Sequence, residues 1–180
     1  MKPVSAALAL AAAFTLTGAA NSQTTADPAQ AKVELKAPDG KVIGQATLTE
    51  GPRGVLLRLS VQGLAPGWHG LHFHEKGDCS SADFKSAGGH VHDMATAVHG
   101  LLNPGGNEAG DLPNLYVAAD GTAQVELFST FVSLKGANGR PALLDADGSA
   151  IVIHIAPDDY STQPIGGAGA RVACGVITGA

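Results

Sequence analysis

Between Lys32 and Lys36 the apolar residues Val33 and Leu35 alternate with charged neighbours, the period-two pattern of a strand that buries one face. Asp39-Gly40 then reads as a turn. Two further alternating runs, Val42 to Leu48 and Val55 to Val61, are divided by Gly51-Pro52-Arg53-Gly54, and Pro66-Gly67 precedes a strand through Leu71 and Phe73. Leu115 to Ala118, a turn at Asp120-Gly121, Val125 to Phe128, Ala150 to Ile155 and Arg171 to Ile177 complete about eight strands. No amphipathic helix flanks any of them, so the pattern predicts an all-β sandwich or barrel. Two stretches, Lys76 to Asn114 and Ala156 to Ala170, carry no period. Loops of that length inside a compact domain are usually functional.

The N-terminus has a different pattern. Lys2 is followed by an apolar run from Val4 to Leu16 and by the small residues Gly18, Ala19 and Ala20, the order of a secretory signal that is too short to span a bilayer. Residues 1–20 are read as that signal, 21–31 as a flexible leader, and 32–180 as one domain. Export places the domain in an oxidising compartment, periplasmic or secreted. Of the 180 residues 44% are hydrophobic but only 4% aromatic, which predicts an aliphatic core. A net charge of −5 speaks against nucleic acid or an anionic membrane as partner. Cys79 and Cys174 are the two cysteines; in an exported chain an even count favours one disulfide.

Six of the seven histidines fall between His69 and His99. In Trp68-His69-Gly70-Leu71-His72-Phe73-His74, a strand would direct His72 and His74 to one side, with Phe73 opposite them in the core. A lone His-X-His is weak support for a metal site. His90, His92 and His99 in the following loop and His154 on a distant strand strengthen it, and imidazole suits copper and zinc.

Taken in order, His69-Gly-Leu-His-Phe-His74-Glu75, Gly88-Gly89-His90, Gly110-Asp111-Leu112, Ile153-His154 and the run Gly169 to Ile177 resemble the copper/zinc superoxide dismutases over about residues 31–179. The long insertion between Cys79 and His90 resembles that of the bacterial branch. The resemblance implies an eight-stranded Greek-key barrel that disproportionates superoxide anion to O₂ and H₂O₂. It implies copper on His72, His74, His90 and His154, with His90 also bridging to zinc and returning a proton to the forming peroxide. His99 and Asp111 match further zinc ligands, and Asp158 matches a carboxylate joining a copper ligand to a zinc ligand. Cys79 and Cys174 match the family disulfide, Arg171 the arginine beside copper, and His69 a structural histidine. The family contains both monomers and homodimers.

The chain departs from the family at Glu108, where a third zinc histidine is usual. The expected fourth zinc ligand is therefore Glu108, with His92 or water as alternatives. The loop Ala156 to Ala170 contains no lysine but carries Asp158 and Asp159, leaving Arg171 as the one cation placed at the site, while Lys76, Lys85 and Lys135 have no assigned position. A non-enzymatic copper-binding or copper-delivery protein is the competing function. The full set of copper histidines together with Arg171 favours the enzyme.

Overall fold

The computed structural model describes residue 1 and residues 28–180. The expected signal and the first part of the leader lie outside the described residues. Strand β1, Gln30–Lys36, takes in the last two residues assigned to the leader. Gln30 pairs with Thr49, and Ala31 enters the core fully buried; two small or polar residues carry too little pattern to show this in the sequence.

The remaining strands are β2 (Val42–Gly51), β3 (Gly54–Gln62), β4 (Gly67–His69), β5 (Leu71–His74), β6 (Leu115–Val117), β7 (Thr122–Ser129), β8 (Ala150–His154), β9 (Arg171–Val176) and β10 (Thr178–Gly179). The large sheet runs β5-β8-β9-β1-β2-β3-β7, with β10 alongside β1. All of these named strands pair antiparallel, and the β5–β8 and β9–β1 neighbours make the crossovers of a Greek key. A two-stranded piece, β4 with β6, joins the two edges. β4 leads into β5 across Gly70, and β6 leads into β7 through the turn in which Gly121 N–H donates to Ala118 O at 2.9 Å. The strand expected through Leu71 and Phe73 is thus split in two, and β10 is separate from β9.

Alternation on β1 and β3 sends Ala31, Val33, Leu35, Val55, Leu57, Leu59 and Val61 inward. β8 behaves differently, because all five of its residues are buried. Ile151 and Ile153 face the main core, whereas Ala150 and Val152 pack on the outer side against Phe84, Ala87 and Cys174. The first long loop therefore lies over the outside of the sheet. On β5, Phe73 and Leu71 enter the core while His72 and His74, paired with Val152 and Ala150, point outward beneath that loop. The loop is what buries the histidines.

A disulfide between Cys79 and Cys174 pins the loop to β9, with a Cα–Cα distance of 5.8 Å and a sequence separation of 95 residues. Closing so long a loop restricts the unfolded chain and contributes about 4 kcal/mol. Replacing both cysteines by alanine should lower the unfolding midpoint by about 10 °C in calorimetry. It should also loosen the loop whose carbonyls hold Arg171. An unchanged midpoint would show that packing of Phe84 and Ala87 holds the loop without the bond.

Candidate metal centre

Four imidazoles meet at the outer face of the sheet: His72 and His74 from β5, His90 from the first long loop, and His154 at the end of β8. One ligand atom from each lies within 4.8 Å of the others. Their rings are fixed from behind. His72 Nε2 donates to Asp158 Oδ2 at 2.9 Å, His74 Nδ1 to Gly88 O at 3.0 Å, and His154 Nδ1 to Gly169 O at 2.9 Å. Each bond sets the tautomer and leaves a lone pair on the opposite nitrogen. Those opposite atoms, His72 Nδ1, His74 Nε2 and His154 Nε2, together with His90 Nε2, are buried and have no hydrogen-bond partner. Orphaned buried polar atoms are rare and costly in proteins. Four of them facing one another fit a metal ion, and an all-imidazole donor set suits copper.

Burial pushes the His72 imidazole down to about 3 and that of His154 to about 4, and it holds His74 well below its ordinary value. All three are therefore neutral and able to ligate. His90 behaves in the opposite way. Burial disfavours its charge, but hydrogen bonds to Asp111 and Glu108 outweigh that and raise it to about 9.

The reason lies on the far edge of the His90 ring. Its Nδ1 is 2.7 Å from Glu108 Oε2 and 3.0 Å from Asp111 Oδ1. His99 Nδ1 is 3.0 Å from each of the same two oxygens. Two carboxylates and two imidazole nitrogens converging on one point call for a cation, and this mixed N/O set suits zinc. His72, His90, His99 and Asp111 also bring ligand atoms within 4.8 Å of one another, but His72 already directs Nε2 to Asp158 and Nδ1 to the first group. Glu108 is the better placed donor. Among the described residues His92 joins neither group. It is partly exposed, with Nδ1 2.9 Å from Met94 O and Nε2 3.7 Å from Glu75 Oε2.

Asp158 ties the two groups together. Oδ2 accepts from His72, and Oδ1 accepts from His99 Nε2 at 3.0 Å. The carboxylate is held in turn by Tyr160 N–H at 2.6 Å, and its backbone is clamped by Asn114. Although burial works against ionisation, the bonds from His72 and His99 lower Asp158 to about 2. Gly166 packs so closely that a Cβ there would stand 1.7 Å from Asp158 Oδ1, at a φ of +58°.

Arg171 opens β9 beside the first group. Its Nη1 donates to Phe84 O and its Nη2 to Gly88 O, both at 2.6 Å. Gly88 O also accepts from His74, so one carbonyl links the arginine to a candidate copper ligand. Arg171 and His154 line a cavity of about 350 Å³ together with Asp83 and Lys85. This locates Lys85, whose position depends on how the loop folds and was hidden in the sequence. The carbonyls that hold Arg171 were hidden too, since backbone atoms leave no side-chain signature. His69 stands apart from both groups, with Nδ1 2.6 Å from His154 O and Nε2 2.8 Å from Ala65 O, joining β4 to β8.

Known proteins share this arrangement of chain. Residues 42–177 match the copper/zinc superoxide dismutase family. A copper-zinc superoxide dismutase of Caulobacter vibrioides is 69% identical over 143 residues, which are 79% of this chain and 82% of the relative. Among solved structures, a double mutant of a superoxide dismutase-like protein from Bacillus subtilis superposes with a TM-score of 0.77 at 43% identity, covering 82% of this chain and 97% of that one. The Cu/Zn superoxide dismutase of Brucella abortus gives a TM-score of 0.65 at 31% identity, over 82% and 98% of the two chains. With a family match across most of the domain and a relative this similar over four-fifths of its own length, the chain belongs to the copper/zinc superoxide dismutase family.

Proposed function

We propose that this protein disproportionates superoxide at a copper ion held by His72, His74, His90 and His154, with zinc held by His90, His99, Asp111 and Glu108. The observation that carries the reading is the set of four buried, unpartnered ring nitrogens, with one of the four histidines, His154, lining a cavity that also presents Arg171. Copper supplies one-electron exchange with successive superoxide ions, and zinc, which has no second oxidation state, supplies a fixed charge. The chain supplies the rest. The guanidinium of Arg171, oriented by two carbonyls, offers a permanent positive charge and its remaining N–H donors to a small anion. His90 Nε2, facing His72, His74 and His154, is placed to hold a proton and pass it to peroxide as the second electron arrives. Asp158 keeps the His72 and His99 rings in register, so that neither metal group can rotate without the other.

The disulfide and the bacterial relatives support an extracytoplasmic location. We place it in the periplasm or the medium, on the pattern of residues 1–20.

The test is Arg171→Ala, measured by metal content and by inhibition of superoxide-driven dye reduction. Copper should stay stoichiometric while the rate falls about 10- to 100-fold, the value of one charge-assisted interaction. Arg171→Lys should recover part of it. Full activity in Arg171→Ala would remove the residue from the site. Stoichiometric copper without dismutation in the unaltered protein would favour the copper-binding function instead.

A further inference from the structure

Two cavities reach the metal groups, and they share no lining residue. The first, already described, is bordered by Arg171 and Lys85 against Asp83. The second, about 360 Å³, approaches from the zinc side and is lined by Asp93, Leu101, Glu108, Asp111, Phe131 and Arg140, among others. The His90 ring separates them. Its side chain is 1% exposed, and it stacks on His72 with ring centroids 3.9 Å apart. A hydrated ion has no path between the two rings.

The two mouths also differ in charge. The first carries Arg171 beside a Lys85–Asp83 ion pair, with Lys85 Nζ 3.0 Å from Asp83 Oδ2, a net positive field that draws an anion and repels Zn²⁺. The second carries three carboxylates and one guanidinium, and that guanidinium is itself drawn to Glu50, with Arg140 Nη2 3.4 Å from Glu50 Oε1. Low-dielectric walls around charges of one sign concentrate the opposite ion. Glu108 lies at the boundary, its side chain 9% exposed, between the buried donors and this opening.

We propose that zinc is loaded and released through this second mouth, separate from the one used by superoxide, and that the opposite charges of the two mouths sort the ions. The inference rests on the reading of Glu108 as a zinc ligand. Asp93, exposed at the rim and bonded to neither metal group, is the group that draws Zn²⁺ in, and Phe131, half exposed, narrows the passage.

The experiment uses the exported, disulfide-bonded protein, loaded with copper and stripped of zinc. Zinc uptake is followed by stopped flow against a fluorescent chelator, and zinc affinity is measured separately at equilibrium. Asp93→Lys should slow uptake about tenfold at low salt and about threefold near 0.1 M salt, since a divalent ion then meets a reversed charge that is screened over about 10 Å. Phe131→Ala should speed uptake and release by the same factor and leave affinity unchanged. Lys85→Glu should leave zinc uptake unchanged while lowering the superoxide rate. If Lys85→Glu instead speeds zinc uptake and Asp93→Lys does nothing, zinc enters by the copper side and the proposal fails. If uptake responds to neither charge nor to Phe131, zinc reaches its site by local opening of the loop, and the proposal fails equally. The ligand reading is judged by equilibrium affinity in Glu108→Ala. Unchanged affinity there would overturn Glu108 as a ligand while an Asp93 effect on the rate still upheld the mouth.

Discussion

Removal of both metals is expected to lower the unfolding midpoint by about 20 °C. Each site gathers groups that oppose one another without an ion: unpartnered ring nitrogens in one, paired carboxylates in the other. Two ions, each with a dissociation constant about a thousandfold below its free concentration, together add about 8 kcal/mol to the folded state, and each kcal/mol moves the midpoint of a domain this size by about 2–4 °C. The metal-free protein should also show a distinctive pH profile. Burial keeps His72 and His154 neutral, at about 3 and about 4, whereas the unfolded chain takes up protons near 6.5. Stability therefore falls as pH drops below about 6.5. His90, raised to about 9 because Asp111 and Glu108 outweigh burial, lends stability that is complete below about 6.5 and is lost as pH climbs towards 9. The metal-free form should be most stable near pH 6.5. Zinc, taking the place of the proton on His90 Nδ1, should abolish the alkaline loss. Calorimetry across pH with and without zinc checks both limbs, and an alkaline limb that survives zinc would mean the ion does not occupy that position.

The zinc site should depend on Glu108 to a degree that His92 does not approach. Glu108 Oε2 lies within 2.7 Å of His90 Nδ1 and 3.0 Å of His99 Nδ1, whereas His92 turns to Met94 and Glu75. Loss of an outer partner of a metal ligand costs about 10- to 100-fold in affinity. Loss of a ligand should cost more, about a thousandfold for Glu108→Ala in competitive chelation. Glu108→His should bind zinc more tightly than the natural residue, because it relieves the repulsion between two carboxylates and supplies a softer donor. His92→Ala should stay within about twofold. Copper content should persist in all three, since none of the substitutions alters His72, His74 or His154. Unchanged zinc in Glu108→Ala would require a fourth donor other than these.

Alternation made β1 and β3 readable because one face of each is packed and the other is wet, which is the condition for a period of two. The same rule could not separate out β4 and β10, which are three and two residues long, although it did find β6 at Leu115–Val117. Nor could it show that β8 is buried on both faces, because the outer cover comes from a loop distant in sequence. At the site, histidine is scarce enough in a 180-residue chain for seven to be noticed. The division of labour between the two nitrogens of each ring was beyond spacing alone. It depends on Gly88 O, Gly169 O and Asp158, which set the tautomers from behind. Glu108 was visible only as a departure from the family pattern, and its proximity to His90 and His99 is a matter of folded geometry.

The close seat of Gly166 against Asp158 has a consequence for how this sequence can drift. Position 166 lies in an outer loop and makes only backbone hydrogen bonds, to Thr162 and Asp159, yet any side chain there would meet Asp158 Oδ1 and push the carboxylate off His72 and His99. A scan of all substitutions at 166, scored by copper and zinc content, should therefore find it as intolerant as a ligand position, whereas neighbouring Gly167, whose Cβ would meet nothing within 4 Å, tolerates asparagine at its φ of +69°. The inheritance of two buried metal groups thus hangs on the absence of one methyl group at a position that supplies no side chain to either.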